Sequence, residues 1–413
     1  MISIQPTPID GTRSPARGQR PAPGKRRVCL LACPLGWGGS ELHSVELART
    51  LLERGNAVTV LEFGQALFAE HGHLPPEVRL ITLRLDVPPE QVSFRQWVSI
   101  LRGLECDAAV FAKGQVHLGS VALDLAARLC FRRYIAIEHV SPPVLPAPRS
   151  KRHFGFVPGL GLWRRRLQWQ VYRRSLGPHR IIGVSRALLG ELGAYRYPRR
   201  KLVAVPNGID AERYRPDAEQ RAAQRANWGV PPNAFVFGTV GRLVIHHKGQ
   251  DLAIEAFARV RAQHPELDPW YVLVGEGPDQ ARLEALAHGA GVAHRVIFAG
   301  YTERPWEAQA GLDVFVLSSH MEGTPLALLE AMATGVRPIA MNVGGVADVI
   351  ADPGIGWLVR AGDRPGLLAA MQAALLQSSE EREAMSARAR EHVQRSFQAR
   401  TQFGKIAELV EQG

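Results

Sequence analysis

Short apolar runs alternate with longer helix-forming stretches along most of this chain, and the series runs twice. In the first half, Arg27 to Cys33, Ala57 to Phe63, Arg79 to Leu85, Asp107 to Lys113, Arg133 to Glu138 and Arg180 to Val184 read as strands. A second series follows the turn Pro206-Asn207-Gly208-Ile209-Asp210. Its strands are Phe235 to Val240, Tyr271 to Val274, Arg295 to Phe298, Asp313 to Leu317, Arg337 to Met341 and Gly356 to Val359. Apolar strands alternating with helices make parallel sheets covered on both faces. The fold class is therefore α/β, with two doubly wound, Rossmann-like domains. The expected division is a basic tail over 1–26, a first domain over 27–204 and a second over 205–395. A last helix over 396–413 is expected to pack back on the first domain through Phe397, Phe403, Ile406 and Val410.

The densest chemistry lies in Glu322-Gly323-Thr324-Pro325-Leu326-Ala327-Leu328-Leu329-Glu330-Ala331-Met332. Thr324 reads as an N-cap and Pro325 as the first position of a helix from Leu326 to Thr334. First-turn amides at a strand's carboxyl end make an anion site. Two glutamates near a helix start are ordinarily a match to its dipole. A second strand-to-helix turn, Asn342-Val343-Gly344-Gly345, argues for more. Two adjacent turns with bare amides and carboxylates suit a ligand carrying phosphate and sugar hydroxyls.

The phrase Glu-Gly-Thr-Pro-Leu-Ala-Leu-Leu-Glu-Ala-Met-Ala-Thr-Gly, followed by Gly344-Gly345, closely resembles the Glu-x7-Glu element of retaining glycosyltransferases of family 4. That family has the GT-B fold, two Rossmann-like domains facing each other across a cleft. The resemblance covers the chain from about residue 27 and is most specific over 203–350. It implies that Glu322 reaches the donor sugar and Glu330 the ribose, with backbone contacts from Gly323, Thr324 and Leu326. It implies that Arg242 and Lys248 bind the donor diphosphate and that His139 faces the donor. Tyr301 falls where the family's base site lies. No metal or other cofactor is implied; the co-substrate is a UDP- or GDP-linked sugar.

The residues suit these roles. A carboxylate is acceptor-only and takes two vicinal hydroxyls. Fixed cations stabilise charge growing on a diphosphate leaving group. Gly38 and Gly39 let the backbone approach a ligand closely, and Ser40 is expected to cap the helix that follows. Glu276 reads as structural, and His246 and His247 as surface histidines. The Gly-x-Gly-Gly form is not a dinucleotide fingerprint, which disfavours a dehydrogenase. A nucleotide-sugar epimerase and a non-catalytic nucleotide-sugar-binding relative remain the alternatives.

Charge adds one further reading. The chain carries a net +11, and no acid lies between Glu138 and Glu191. Arg149, Lys151, Arg152, Arg164, Arg165, Arg166, Arg173 and Arg174 fall there, with Phe154, Phe156, Trp163, Trp169 and Tyr172. Such a segment suits an anionic membrane surface over 149–174, or a lipid-linked or cell-envelope acceptor. It equally suits a helix that packs its Trp163, Leu167 and Val171 stripe at home. Nucleic acid rests on charge alone and is not an expected partner. No run of eighteen apolar residues occurs, and Met1 to Lys25 lacks the apolar core of a secretory signal. Cys29, Cys33, Cys106 and Cys130 show no metal-ligand spacing. The expected location is cytoplasmic, peripheral on the inner membrane face if the basic segment binds there.

Overall fold

The computed structural model describes residues 21, 24–33, 38–71, 73–113, 120–139, 176–194 and 197–412. The basic aromatic segment 149–174 and most of the N-terminal tail lie outside the described residues. Two compact units divide the chain: Met1–Pro206 with Arg400–Gly413, and Asn207–Ala399.

The first unit holds a seven-stranded parallel sheet of β1 (Arg27–Ala32), β2 (Ala57–Phe63), β3 (Arg79–Leu83), β4 (Ala108–Lys113), β5 (Arg133–Glu138), β6 (Arg180–Gly183) and β7 (Leu202–Ala204). Their order is β3-β2-β1-β4-β5-β6-β7. The second unit holds β8 (Val236–Val240), β9 (Trp270–Val274), β10 (Val296–Phe298), β11 (Val314–Leu317), β12 (Arg337–Asn342) and β13 (Trp357–Arg360), in the order β10-β9-β8-β11-β12-β13. The twelve strands read from the sequence each end within two residues of their expected bounds; β7, before the turn between the halves, is not among them.

Burial explains why these runs are strands. Along β11, Val314 and Val316 enter one apolar cluster with Phe257 and Met371, while Phe315 and Leu317 enter the other with Leu328 and Met332. Side chains alternate between faces, so a strand apolar at every position must be covered twice. The order also locates the sites. β1 has β2 on one side and β4 on the other, and β8 lies likewise between β9 and β11. Ligands bind beyond the carboxyl ends of strands at such reversals. In the second unit that point is framed by the loops after Val240 and after Leu317.

Three local expectations are corrected. The N-cap of helix Leu326–Ala333 is Pro325, not Thr324, and no side chain caps it. Thr324 is instead drawn inward, 3% exposed, where its carbonyl accepts from Asn207 Nδ2 at 2.7 Å. Helix Gly39–Glu53 is capped by Gly38, so Ser40 sits in the first turn and its hydroxyl donates to Glu41. Phe397 belongs to the core of the second unit, with Ala389 and Val393. Only Phe403, Ile406 and Val410, on helix Ala399–Glu411, are buried in the first. Glu411 ties that helix down, accepting from Arg54 at 2.8 Å and from Asn56 at 2.9 Å.

Candidate functional site

In the second unit, the loop after β8 carries Gly241, Arg242 and Leu243, then the one-turn helix Ile245–Lys248. Lys248 thus ends one helix rather than opening the next; Gly249 caps Gln250–Gln263 in the left-handed conformation, φ 60°. The turn Gly275-Glu276-Gly277-Pro278 holds this loop. Leu243 N donates to Glu276 O at 2.9 Å, and Asp279 accepts from Ile245 N at 2.8 Å. The part of Glu276 that acts here is its carbonyl. Arg242 is exposed, and its own carbonyl accepts from the buried Gln250 amide at 2.8 Å.

The loop after β11 meets it. Lys248 Nζ donates to Glu322 Oε1 at 2.7 Å, and Ser319 Oγ donates to the same oxygen at 2.6 Å. Glu322 is 8% exposed. His320 N donates to His247 O at 2.9 Å, and Ser318 Oγ to Lys248 O at 3.2 Å. His247 is not the surface residue expected. Its Nε2 is buried without a hydrogen-bond partner, and burial, then Lys248, push its pKa down.

The turn after β12 packs on the same loop. Gly345 N donates to Gly323 O at 2.8 Å. Gly344 has φ 54°, and a Cβ there would lie 1.8 Å from Glu322 O. One helical turn beyond Leu326, Glu330 is buried, 6% exposed, and accepts from Tyr214 Oη at 3.0 Å. Burial pushes its pKa up to about 7 against the pull of Tyr214 and Arg213. Tyr214 stands edge-on to Trp306, which lies under the Arg213 guanidinium at 3.9 Å. Tyr301 follows Gly300 beyond β10 and is 52% exposed. The structure therefore gathers Lys248, Glu322, Gly323 and Thr324 on adjoining loop segments with Leu326 and Glu330 on the helix that follows, and Arg242 lies on the segment that ends at Lys248. Among the described residues no cluster of three or more His, Cys, Asp or Glu side chains could hold a metal ion.

The family model described as Glycosyl transferases group 1 matches residues 220–392, and that described as Glycosyltransferase Family 4 matches residues 37–213. The chain belongs to the group 1, family 4 glycosyltransferases. It is 38% identical over 217 residues to a D-inositol 3-phosphate glycosyltransferase of Geodermatophilus obscurus, covering 50% of this chain and 46% of that protein. It is 30% identical over 236 residues to a GDP-mannose-dependent alpha-(1-6)-phosphatidylinositol monomannoside mannosyltransferase of Mycolicibacterium smegmatis, covering 55% and 60%. The chain spans about half the length of the curated relatives it matches. Among solved structures, Anabaena HepE in complex with UDP superposes with a TM-score of 0.74 at 20% identity, over 92% of this chain and 98% of that one. That likeness shows the fold, which is GT-B.

The first unit holds Gly38, Gly39 and His139. Gly38 and Gly39 start the helix after β1. His139 follows β5 and is 6% exposed; its Nδ1 lies 2.9 Å from Lys113 O. A carbonyl only accepts, so Nδ1 carries the proton. Burial pushes the pKa of His139 down to about 4. His43 stands edge-on to it at 4.8 Å. Beneath lies a buried ion cluster. Lys113 Nζ reaches Asp124 at 3.2 Å and Glu138 at 3.8 Å, and Tyr134 donates to Asp124. Burial pushes Glu138 up to about 7; Lys113 opposes that and Asp124 adds to it.

Tyr214, Asn207, Ser319 and the Lys113 cluster were not found from the sequence. Tyr214 and Asn207 lie more than a hundred residues from the groups they hold. In the sequence Asn207 reads only as a turn residue. Ser319, three residues before Glu322, was the one within reach of local reading.

Proposed function

We propose that this chain is a retaining, metal-independent glycosyltransferase. It moves a hexose-type sugar from a UDP- or GDP-linked donor to a lipid-linked or cell-envelope glycan acceptor, such as lipopolysaccharide, exopolysaccharide or a glycolipid. The observation that carries the reading is the Lys248–Glu322 pair, beside the exposed Arg242, at the point where the second sheet reverses its strand order. Family membership supports transfer. The relative that uses GDP-mannose and the structural neighbour that holds UDP support a nucleotide donor. The phosphatidylinositol mannoside relative supports a lipid-linked acceptor.

The chemistry follows from donors and acceptors. Breaking the sugar–phosphate bond puts negative charge on the diphosphate, and Arg242 and Lys248 meet it. Each charge-assisted hydrogen bond contributes about 1.5–3 kcal/mol. Glu322 Oε1 already accepts from Lys248 and Ser319, so Oε2 is the oxygen left to take a sugar hydroxyl. A carboxylate so engaged holds the sugar rather than attacks it, and the departing phosphate takes the acceptor's proton. Glu330 takes the ribose hydroxyls. Such an enzyme works at the cytoplasmic membrane face, where segment 149–174 meets anionic lipid.

The test is thermal. UDP or GDP is expected to raise the melting temperature in the presence of EDTA, because a ligand that binds only the folded state stabilises it by mass action. No shift with UDP, GDP or ADP, or a shift that EDTA abolishes, overturns the donor-site reading. A panel of sugars on the nucleotide that binds then identifies the donor.

A further inference from the structure

The starts of three neighbouring strands bring cations together on the edge of the first sheet opposite the carboxyl ends of its strands. β5 begins at Arg133, β6 at Arg180 and β7 directly after Lys201, side by side in that order. Ile135 is level with Arg180, and Ile181 with Leu202. Register alone therefore delivers Arg133, His179, Arg180, Arg200 and Lys201 to one edge. Arg128, in the last turn of helix Val121–Cys130, reaches the same place and acts on both His179 and Lys201.

Among the described residues these cations have no carboxylate partner, and Arg180 Nη1 donates only to the His179 carbonyl, at 3.3 Å. Lys201 is 8% exposed, and among the described residues its ammonium has no ion pair or hydrogen bond. Arg128 Nε is buried with no hydrogen-bond partner. His179 Nδ1 accepts from Tyr134 N at 3.0 Å, which leaves Nε2 as the ring's donor. Burial, then Arg128, Arg200 and Arg180, push Lys201 down to about 8. Burial, then Arg128 and Arg133, push His179 down to about 4. The acids on this edge are engaged elsewhere. Asp107 accepts from Arg27, and Glu411 from Lys25, Arg54 and Asn56. Arg133 is itself occupied by Gln412 O at 2.9 Å.

Like charges crowded on a partly buried edge cost stability unless an anion joins them. We infer that this edge binds a phosphate or pyrophosphate group, held by Arg128, Arg180, Arg200 and Lys201 with His179 donating through Nε2. The chemistry is the same whether the group is a free anion or the headgroup of a phosphate-bearing lipid. None of the donor-side residues of the second unit takes part, so the inference stands apart from the proposed transfer.

Calorimetric titration of inorganic pyrophosphate into the full chain carrying Arg242→Ala tests it, since that substitution weakens the donor-side alternative. One equivalent is expected to bind at pH 7. Loss of one charge-assisted contact in Lys201→Met is expected to weaken binding about tenfold or more. Arg200→Ser removes an exposed side chain without disturbing the core and is expected to weaken binding several-fold. Raising the pH from 7 to 9.5 is also expected to weaken it as Lys201 loses its proton. The groups facing it are Arg128, Arg180, Arg200 and His179, and the imidazole stays neutral over that range. Co-sedimentation with phosphatidic acid vesicles against phosphatidylcholine vesicles distinguishes the sources. Vesicle binding lost in both variants, without pyrophosphate heat, assigns a lipid phosphate; pyrophosphate binding without vesicle binding assigns the free anion. Absence of both, or equal affinity in the parent and both variants, overturns the site.

Discussion

Lys248 Nζ donates to Glu322 Oε1 across 2.7 Å, so a cation from the loop after β8 neutralises a carboxylate from the loop after β11. The two side chains are 24% and 7% exposed. Glu322 is held for its place by this pair and by Ser319, and Lys248 must turn part of its charge to any diphosphate that arrives.

Removing Lys248 therefore has two effects. Lys248→Met leaves a nearly buried carboxylate without its cation. A fully buried pair broken in this way costs about 3–5 kcal/mol, and partial exposure of Lys248 brings the expected loss to roughly 1–3 kcal/mol. Transfer is expected to fall about a hundredfold or more, the usual consequence of losing one preorganised transition-state contact. The double variant Lys248→Met/Glu322→Gln should recover stability without recovering transfer. Near-normal turnover in purified Lys248→Met protein would show that the leaving-group assignment is wrong.

On the proposed reading, in which Glu330 takes the ribose hydroxyls, this residue links donor binding to pH. Its folded pKa of about 7 lies above the ordinary 4.5. Between these values the folded state keeps the proton and the unfolded state has lost it. Stability therefore falls as pH rises from 4.5 to 7, by roughly 3 kcal/mol in total. Glu330→Gln cannot ionise and is expected to be more stable than the parent at pH 8 and equal to it near pH 4.5. Donor affinity should run the other way, weakening below pH 7, because two ribose hydroxyls need an ionised acceptor. Tyr214→Phe removes a bond to the ionised form and should move the midpoint of that profile upward. A midpoint unchanged in Tyr214→Phe would separate the two residues.

Gly344 is where the backbone leaves no room. A Cβ there would lie 1.8 Å from Glu322 O, and φ is 54°. A carbonyl cannot swing away as a side-chain tip can, and the left-handed conformation adds about 1 kcal/mol for a residue with a Cβ. Gly344→Ala is expected to lower the melting temperature by several degrees and to weaken donor binding, because Gly345 anchors Gly323 at 2.8 Å. Wild-type melting and turnover in Gly344→Ala would remove this turn from the site.

The strands were legible because apolar runs such as Val314 to Leu317 are buried on both faces, and no other arrangement suits them. The Glu322 to Glu330 phrase was legible because its residues act from one loop and one helix. Helix Ala218–Asn227 has no comparable apolar stripe. It is fastened by Arg221 and Arg225 to Asp313 at 2.6 and 2.7 Å, a pairing across some ninety positions that no local pattern records. Phe397 misled for a related reason. It stands two residues before the last helix and shares its apolar character, but packs with the helix that precedes it. Local signals locate elements and charges; they do not say which distant partner a polar group will find.

His139 supplies the last prediction. Its Nδ1 proton is committed to Lys113 O at 2.9 Å, and its buried Nε2 has no hydrogen-bond partner. Protonating Nε2 would bury an uncompensated charge, so burial holds the pKa near 4 rather than the ordinary 6.5. Nitrogen chemical shifts of this ring are expected to report one neutral tautomer, protonated on Nδ1, from pH 8 down to pH 5. Over that range the pH profile of transfer should carry no inflection from His139. Stability behaves differently. Between pH 6.5 and 4 the unfolded chain takes up a proton that the folded chain refuses, so stability falls as the pH drops, by up to roughly 3 kcal/mol. His139→Gln is expected to flatten that acid limb. A ring that titrates near 6.5, or an acid limb unchanged in His139→Gln, would mean that Nε2 is open to solvent and that the residue is free to trade protons at neutral pH.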